Sequence, residues 1–536
     1  MRLTIDDRTV TALAGESVLQ CALRHLIYIP HLCTQPNLPA FGACRMCVVE
    51  VDGMRGFLTS CTTPAADGMV VHTDTPALTE LRRKILELIL LEHPSTCLVC
   101  EKQALCEQYR PAASKAGRTT GCHTCNNKEI CAVHALSHEL NLTQLPVPPL
   151  YRNFPLERSD PFIDRDLNLC ILCGRCVRVC KAHQGQATID FVGRGSHTRI
   201  GAAFGRSLTE AGCRFCGSCI DVCPTGSLAD RYAKWFGEAD RYTATTCTLC
   251  DAACALTVHT VRRHAVMARA VNTRVPICVL GRFAIPEFLN GTDRMKSPRI
   301  RTGERRREVP WPRALADAAE RLRPFIGDRF ALVCDGTSTL EDRYVFQQFT
   351  REVMQSPHYI ELPPDERGVA RGALPAEVRA VLMTGDFVDA DRLQQLDLLI
   401  VQDCYPTPAS ERADVSLPAA VLGEVAGTWL DGEGNQRQLR KACEGPGAAR
   451  PDWQIVCELA GAMGAPGFEY DSATAIAAAA GVTNARLRIR RAEAPLAAID
   501  PRHRRTHFRG HCLEERVGGL RELAAAAPDA AAAMGG

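Results

Sequence analysis

The sequence predicts a multidomain protein of mixed α+β and α/β class, and three observations carry that prediction. Of the 28 cysteines in 536 residues, 22 fall between Cys33 and Cys278, in short repeated spacings. Residues 279–536 hold only five, and there buried strand-like runs alternate with helix-like ones, as in a sheet covered by helices. The chain is long enough for several hydrophobic cores, and its 46% apolar and 6% aromatic content is that of ordinary globular domains.

Charge and hydropathy exclude some classes. A formal net charge of +2 is too small to argue for nucleic acid or anionic lipid as a partner. No window approaches 18 uninterrupted apolar residues, so no membrane-spanning helix is expected. The chain opens with Met1-Arg-Leu-Thr-Ile-Asp6, a strand and turn rather than a secretory leader. The expectation is a cytoplasmic protein in which the cysteines hold metal rather than disulfides, attached to membranes only through partners.

Residues 1–78 read as a small strand-rich domain. Leu3, Ile5 and Val10 mark a hairpin, and a helix begins near Ser17. Cys33, Cys44, Cys47 and Cys61 follow, with gaps of ten, two and thirteen residues. Two thiolates for each iron of a [2Fe-2S] rhombus are what this set supplies, and the small residues of Phe41-Gly-Ala-Cys44 let backbone amides approach sulfide. Zinc is the competing occupant.

An amphipathic helix over 78–91, ended by His93-Pro94, leads into the segment over 79–158. His93, Cys97, Cys100 and Cys106 then offer one imidazole and three thiolates to a [4Fe-4S] cube; a neutral imidazole raises the potential relative to four thiolates. Cys122, Cys125 and Cys131 repeat the gaps of two and five without an evident fourth ligand. His123, His134 and His138 are the nearby candidates, the last two on a helix expected over 132–140. Three arrangements compete: a further [4Fe-4S] cluster with histidine or solvent as fourth ligand, a zinc site, or an exchange in which His93 serves the second triplet.

Residues 159–236 carry two cysteine quartets with gaps of two, two and three: Cys170, Cys173, Cys176 and Cys180, then Cys213, Cys216, Cys219 and Cys223. In a two-cluster ferredoxin the last cysteine of each run crosses to the other cube. One cube is therefore expected on Cys170, Cys173, Cys176 and Cys223, the other on Cys213, Cys216, Cys219 and Cys180. Over residues 240–297, Cys247, Cys250, Cys254 and Cys278 form another quartet suited to a [4Fe-4S] cube or to zinc.

Residues 298–470 change character to α/β. Helices are expected over 311–324 and 340–353, and parallel strands over 330–334, 380–385 and 398–403. No Gly-x-Gly-x-x-Gly fingerprint or phosphate loop is present, so neither flavin nor NAD(P) is expected on this chain. Cys21, Cys334, Cys404, Cys443, Cys457 and Cys512 stand alone and read as small buried hydrophobes. Residues 471–536 read as a linker and a docking tail: 507–516 docks on a partner or on this chain, and the alanine-rich 519–536 frays.

This order of motifs resembles the large iron-sulfur subunit of the peripheral arm of respiratory complex I and its relatives in NAD-linked formate dehydrogenases, hydrogenases and electron-bifurcating complexes. The first 230 residues carry the likeness through the cysteine sets named above. Cys247/Cys250/Cys254/Cys278, Gly281-Arg-Phe283, the phrase over 413–419 and that over 427–436 extend it into a molybdopterin oxidoreductase-like part. The resemblance implies a β-grasp [2Fe-2S] ferredoxin domain, a [4Fe-4S] domain with one histidine and three cysteine ligands, a two-[4Fe-4S] ferredoxin domain and a contracted, cofactor-free molybdopterin oxidoreductase-like α/β scaffold. The triplet at Cys122, Cys125 and Cys131 departs from the complex I form.

With no nucleophile, base or hydride site, the expected task is moving single electrons between a partner flavoprotein and another redox subunit. The implied cofactors are one [2Fe-2S] and four [4Fe-4S] clusters and a further [4Fe-4S] cluster, with no molybdopterin and no flavin. The implied partners are a flavin- and NAD(P)-binding diaphorase-type subunit, a small [2Fe-2S] subunit and a further redox or catalytic subunit. The rival expectations are a small pterin-dependent formate dehydrogenase and a structural zinc scaffold.

Overall fold

The computed structural model describes residues 1–526 except 96, 98–104, 106–124, 126, 128–129, 183–184, 186, 237, 251, 273–274, 336–337, 363–373, 387, 389 and 482–511. The chain divides into two units, Met1–Glu238 with Thr273–Pro276, and Ala239–Asn272 with Ile277–Gly536.

The first unit opens with the expected hairpin, β1 (Arg2–Ile5) and β2 (Arg8–Thr11). Asp6 and Asp7 turn it with φ of 45° and 63°, the two left-handed positions a tight two-residue hairpin demands. Strands β3 (Val48–Val51), β4 (Leu58–Thr59) and β5 (Val70–His72) complete a sheet of order β2-β1-β5-β3-β4, with β1 and β5 parallel. Helix α1 (Val18–Arg24) is started by a Ser17/Gln20 capping box and buries Val18, Leu19, Cys21 and Ala22 in a core shared with Ile5, Val49 and Val71.

Helix α2 (Pro76–Leu91) starts two residues before its apolar period does. Thr75 caps the amide of Leu78, and Pro76 needs no amide partner in the first turn. Helix α3 (Ala132–Glu139) packs on it through Val133 and Leu136 against Leu86 and Leu90. The two-quartet region folds as β6 (Ile163–Arg165), α4 (Arg175–Ala182), the hairpin β7 (Asp190–Val192) and β8 (Arg199–Gly201), then α5 (Ser218–Asp221) and β9 (Leu228–Asp230). Strands β6 and β9 pair antiparallel and join the two ends of this region.

In the second unit, β10 (Arg241–Thr246), β11 (Ala255–Val261) and β12 (His264–Ala270) make an antiparallel meander, followed by α6 (Ile285–Leu289). The main sheet has seven strands: β13 (Arg299–Thr302), β14 (Arg305–Glu308), β15 (Phe330–Asp335), β16 (His358–Leu362), β17 (Ala380–Thr384), β18 (Leu398–Asp403) and β19 (Val415–Pro418). Their order is β14-β13-β19-β18-β17-β15-β16, with β15 to β19 parallel to their neighbours and β13 and β14 antiparallel at one edge. Helices α7 (Trp311–Leu322), α8 (Leu340–Gln348) and α9 (Asp452–Ala462) cover one face through Ala318, Leu322, Phe346 and Val456. The hairpin β20 (Gly427–Leu430) and β21 (Gln436–Leu439) lies beyond the sheet in the chain and reaches β10, where Thr246 donates to the carbonyl of Gln438.

The tail is better ordered than its composition suggests. Residues expected to fray from 519 instead belong, as far as 526, to α10 (Gly518–Ala526), which buries Leu520 and Leu523 completely. In the sequence, the alanine run that follows masks this leucine pair, which fixes the helix. Arg516 packs on this chain: it pairs with Asp293, donates to the carbonyl of Pro406 at 2.8 Å and stands 4.4 Å over the Tyr405 ring.

Candidate metal centres

In the N-terminal sheet domain Cys33, Cys44, Cys47 and Cys61 converge. Cys33 contacts both Cys44 and Cys61, and Cys47 contacts Cys61, close enough for thiol hydrogen bonds. The loop that carries them is turned by Gly42 (φ 68°) and Arg45 (φ 56°), so successive amides face the sulfurs, and the amide of Cys33 donates to Cys44 Sγ at 3.4 Å. A Cβ on Gly42 would stand 3.2 Å from Thr62, so a side chain there would crowd the loop. Hydrogen bonds from Cys61 and Ser60 pull Cys47 down to about 7, toward the thiolate a metal needs.

The two quartets form a local repeat at the level of the backbone. Leu172 and Phe215, at equivalent places, are left-handed with φ of 53° and 52°, and Gly174 and Gly217 follow with 67° and 73°. As a result the amide of Leu172 donates to Cys170 Sγ at 3.4 Å and that of Phe215 to Cys213 Sγ at 3.3 Å. Such amides stabilise a thiolate and tune any cluster it holds. Cys170, Cys173, Cys176 and Cys223 line one solvent-connected pocket, walled by Leu167, Ile171 and Leu228. Cys213, Cys216 and Cys219 are grouped instead with Cys180. Burial pushes Cys170 up to about 11 and Cys173 to about 12, so a metal ion must displace their protons on binding.

Two arginines of α4 tie this cavity to the N-terminal cysteine loop. Arg178 donates to the carbonyls of Cys33 and Pro39 and stacks 5.3 Å from the Phe41 ring, which itself stacks on Phe191 at 5.9 Å. Arg175 lies within electrostatic reach of Cys173 and Cys223 on one side and of Cys33 and Cys44 on the other. Sequence reasoning missed both arginines. The signal was the Cys-Gly-x-Cys step, whose variable residue and its helical neighbour three on face the preceding domain.

Of the set with one histidine and three cysteines, His93 is 6% exposed, Cys97 is half-buried, and Cys100 and Cys106 lie outside the described residues. Of the extra triplet, Cys125 and Cys131 are buried, while Cys122 and His123 lie outside the described residues. His134 and His138 meet each other, Nε2 to Nε2 at 3.2 Å on α3, and His138 is exposed.

In the second unit Cys247 directly follows β10 and Cys254 directly precedes β11; the amide of Cys247 donates to the carbonyl of Cys254 at 2.9 Å. Cys247 is within electrostatic reach of Cys250, Cys254 and Cys278. The turn after Cys278 brings Gly281 against Cys247, where a Cβ would stand 3.8 Å from Sγ. Fully buried Arg282 follows and donates to the carbonyl of Ala268. Cys334 lies in the sheet core with its Sγ 3.3 Å from the Tyr359 hydroxyl, and Cys21, Cys443 and Cys457 are buried as well. Among the described residues no three His, Cys, Asp or Glu side chains are drawn together as around a single ion, and no helix is long and apolar enough to cross a membrane.

Four family models match: a 2Fe-2S iron-sulfur cluster binding domain over residues 1–76, the NADH-ubiquinone oxidoreductase-G iron-sulfur binding region over 82–107, the ferredoxin-like domain of NADH-quinone oxidoreductase subunit 3 over 160–229, and molybdopterin oxidoreductase over 359–462. A G-type subunit of the NADH-quinone oxidoreductase of Rhizobium meliloti is 32% identical across 66% of this chain and 39% of its own length. The alpha subunit of NADPH-Fe(3+) oxidoreductase of Geobacter sulfurreducens is 30% identical, again across 66% and 39%. A chain in the crystal structure of an NAD+-reducing [NiFe]-hydrogenase in the H2-reduced state is 30% identical over 43% of this chain and 88% of that one, with a TM-score of 0.36. The chain thus spans about two fifths of the length of the first two relatives. It is homologous to the large iron-sulfur subunits of NAD(P)H-linked oxidoreductases, with 2Fe-2S and 4Fe-4S cluster regions followed by a molybdopterin oxidoreductase region.

Proposed function

We propose that this chain is the electron-transfer subunit of a multisubunit NAD(P)H-linked oxidoreductase, carrying single electrons between a partner flavoprotein and another redox subunit. The observation that supports it most is the crossed grouping of the two quartets, in which Cys223 joins Cys170, Cys173 and Cys176 in one cavity while Cys180 joins Cys213, Cys216 and Cys219. On this reading Cys33, Cys44, Cys47 and Cys61 hold a [2Fe-2S] cluster, and the crossed sets and Cys247, Cys250, Cys254 and Cys278 hold [4Fe-4S] clusters, with His93, Cys97, Cys100 and Cys106 as the family's fourth cubane set.

Bound there, iron-sulfur clusters supply one-electron chemistry. The chain's own residues supply thiolates, amides aimed at sulfur, apolar walls that thin the water, and cations such as Arg175 between neighbouring sites. Hydride cannot be split into single electrons without a flavin, so a flavin- and NAD(P)-binding partner is part of the proposal, together with a small [2Fe-2S] subunit and a further redox subunit. Neither nucleic acid nor direct membrane insertion enters it.

Anaerobic purification with partners, followed by metal analysis, tests this reading. The electron-transfer function predicts iron in the stoichiometry of several clusters, a visible absorbance bleached by dithionite, and no molybdenum or tungsten on this chain. Cys170→Ser or Cys213→Ser should abolish NAD(P)H-linked turnover of the complex; full turnover in both variants would rule out a path through the paired cubes. Stoichiometric molybdenum with pterin would favour the formate dehydrogenase alternative, and zinc in place of iron the scaffold one.

A further inference from the structure

We propose that His134 and His138 on α3 form a bis-imidazole site for a divalent transition metal of the zinc, nickel and copper class, loaded independently of the cysteine-bound centres. The site goes beyond the electron-transfer reading and does not depend on it.

Helix α3 buries Val133, Leu136 and Ser137. His134 and His138, four residues apart, lie on the opposite side, the first half-buried and the second exposed. The apolar core that α3 shares with α2 is thus filled from the other face, by Val133, Leu136 and Leu140. Cys131, which precedes the helix, also packs into that core, so the histidine pair can take a metal without it.

The two rings have the geometry of a chelate. Their Nε2 atoms are 3.2 Å apart while the ring centroids are 4.5 Å apart, so the rings converge on each other through their Nε2 edges. A metal about 2.0–2.1 Å from each nitrogen would close a triangle with an angle of roughly 100° at the metal, near the tetrahedral value. A direct hydrogen bond between the rings uses one Nε2 proton and one lone pair; a metal uses both lone pairs at the same separation. His138 stands in the last turn of α3, where the helix dipole favours a bound cation. Imidazole nitrogen suits zinc, nickel and copper, whereas magnesium and calcium take oxygen. Two protein ligands are one fewer than a catalytic zinc site holds, so the remaining positions fall to water or to a side chain from a partner.

The test uses the full-length chain purified anaerobically with its iron and its clusters oxidised. Ni2+ is titrated by equilibrium dialysis, and Cu2+ is added separately for pulsed electron paramagnetic resonance. We expect one nickel ion per chain bound outside the iron centres, and binding weaker by on the order of 100-fold in His134→Ala and in His138→Ala, since each removes one arm of a bivalent ligand. The double variant His138→Ala with Glu139→His keeps the number of imidazoles but breaks their spacing, and should bind as weakly as His138→Ala alone. Bound Cu2+ should carry nitrogen modulation from two imidazoles in the native chain and from no more than one in either single variant. No nickel on the native chain, affinity unchanged in both single variants, or affinity restored by Glu139→His overturns the proposal. Loss of iron in His134→Ala or His138→Ala also overturns it, because the histidines would then serve the Cys122, Cys125 and Cys131 set. The electron-transfer reading survives each of these results and is judged separately, by the iron content and dithionite bleaching of the native chain.

Discussion

Removing Glu424 should unfold the second unit more readily than any single surface change. Glu424 and Arg294 are both fully buried and meet side by side, Nη1 to Oε1 at 2.9 Å and Nη2 to Oε2 at 2.8 Å. Arg294 also donates to the carbonyl of Leu289, and Glu424 accepts from the amide of Val421, so both ions are held by the backbone. Glu424→Leu leaves the guanidinium buried with no counter-charge, a defect worth about 3–5 kcal/mol. Against a total stability of about 5–15 kcal/mol that is a large fraction. With a urea dependence of about 1–3 kcal/mol per molar, the unfolding midpoint should fall by at least 1 M or so. Tryptophan fluorescence reports it, since Trp311, Trp429 and Trp453 are all buried in this unit. The double variant Arg294→Met with Glu424→Leu should recover much of the loss, because it removes both charges. A midpoint unchanged in Glu424→Leu, or a double variant no better than the single, would refute the argument that the unpaired charge is what costs.

Cys223→Ser should disturb the cluster signal that Cys170→Ser disturbs, and Cys180→Ser the one that Cys213→Ser disturbs, as read by redox-titrated electron paramagnetic resonance; the opposite pairing would mean that the quartets do not cross. Arg175→Gln removes a cation placed between two sulfur sites; it should lower the midpoint potentials of both, by on the order of 1 kcal/mol per electron. Burial and the neighbouring Arg269 and Arg282 hold His259 down to about 4. The unfolded chain therefore takes up this proton first as pH falls. The stabilisation is present above about pH 6.5 and is lost between there and pH 4. His259→Gln should flatten the fall in thermal midpoint over that window. Gly193→Ala should destabilise more than Gly195→Ala: both are left-handed, but a Cβ on Gly193 would stand 2.5 Å from the His197 carbonyl, whereas Gly195 faces open space. The second should cost only about 1–2 kcal/mol, as judged by thermal unfolding.

Most of the site was legible because cysteine spacing is a chain-local signal. The gaps of the two quartets match those of a two-cluster ferredoxin, from which a crossed grouping is expected, and β15, β17 and β18 announce themselves as unbroken apolar runs. The meander β10 to β12 was not legible. Its buried positions are Thr243, Thr245 and Thr246, with Thr245 accepting from the amide of Arg440, so no hydrophobic alternation marks it. The edge hairpin β13–β14 is hidden for another reason: Arg305–Glu308 is wholly charged and exposed, the composition of a guarded sheet edge and also of a loop. Arg175 and Arg178 escaped notice because their importance comes from a fold contact with Cys33 and Cys44, far away in sequence.

The exchange of the last cysteine between the two quartets also governs how the protein is assembled. Each group of sulfurs includes one from the other half of the domain, and β6 pairs with β9 to close the same circuit. If clusters occupy both sets as proposed, loading one centre would order a ligand from its neighbour's quartet, and damage at either would set free a thiol contributed by the other run. On that proposal occupancy would be coupled in the thermodynamic sense, with half-loaded chains disfavoured relative to empty and full ones. Iron limitation would then divide the population into competent molecules and inert ones, with few able to accept an electron and unable to pass it on.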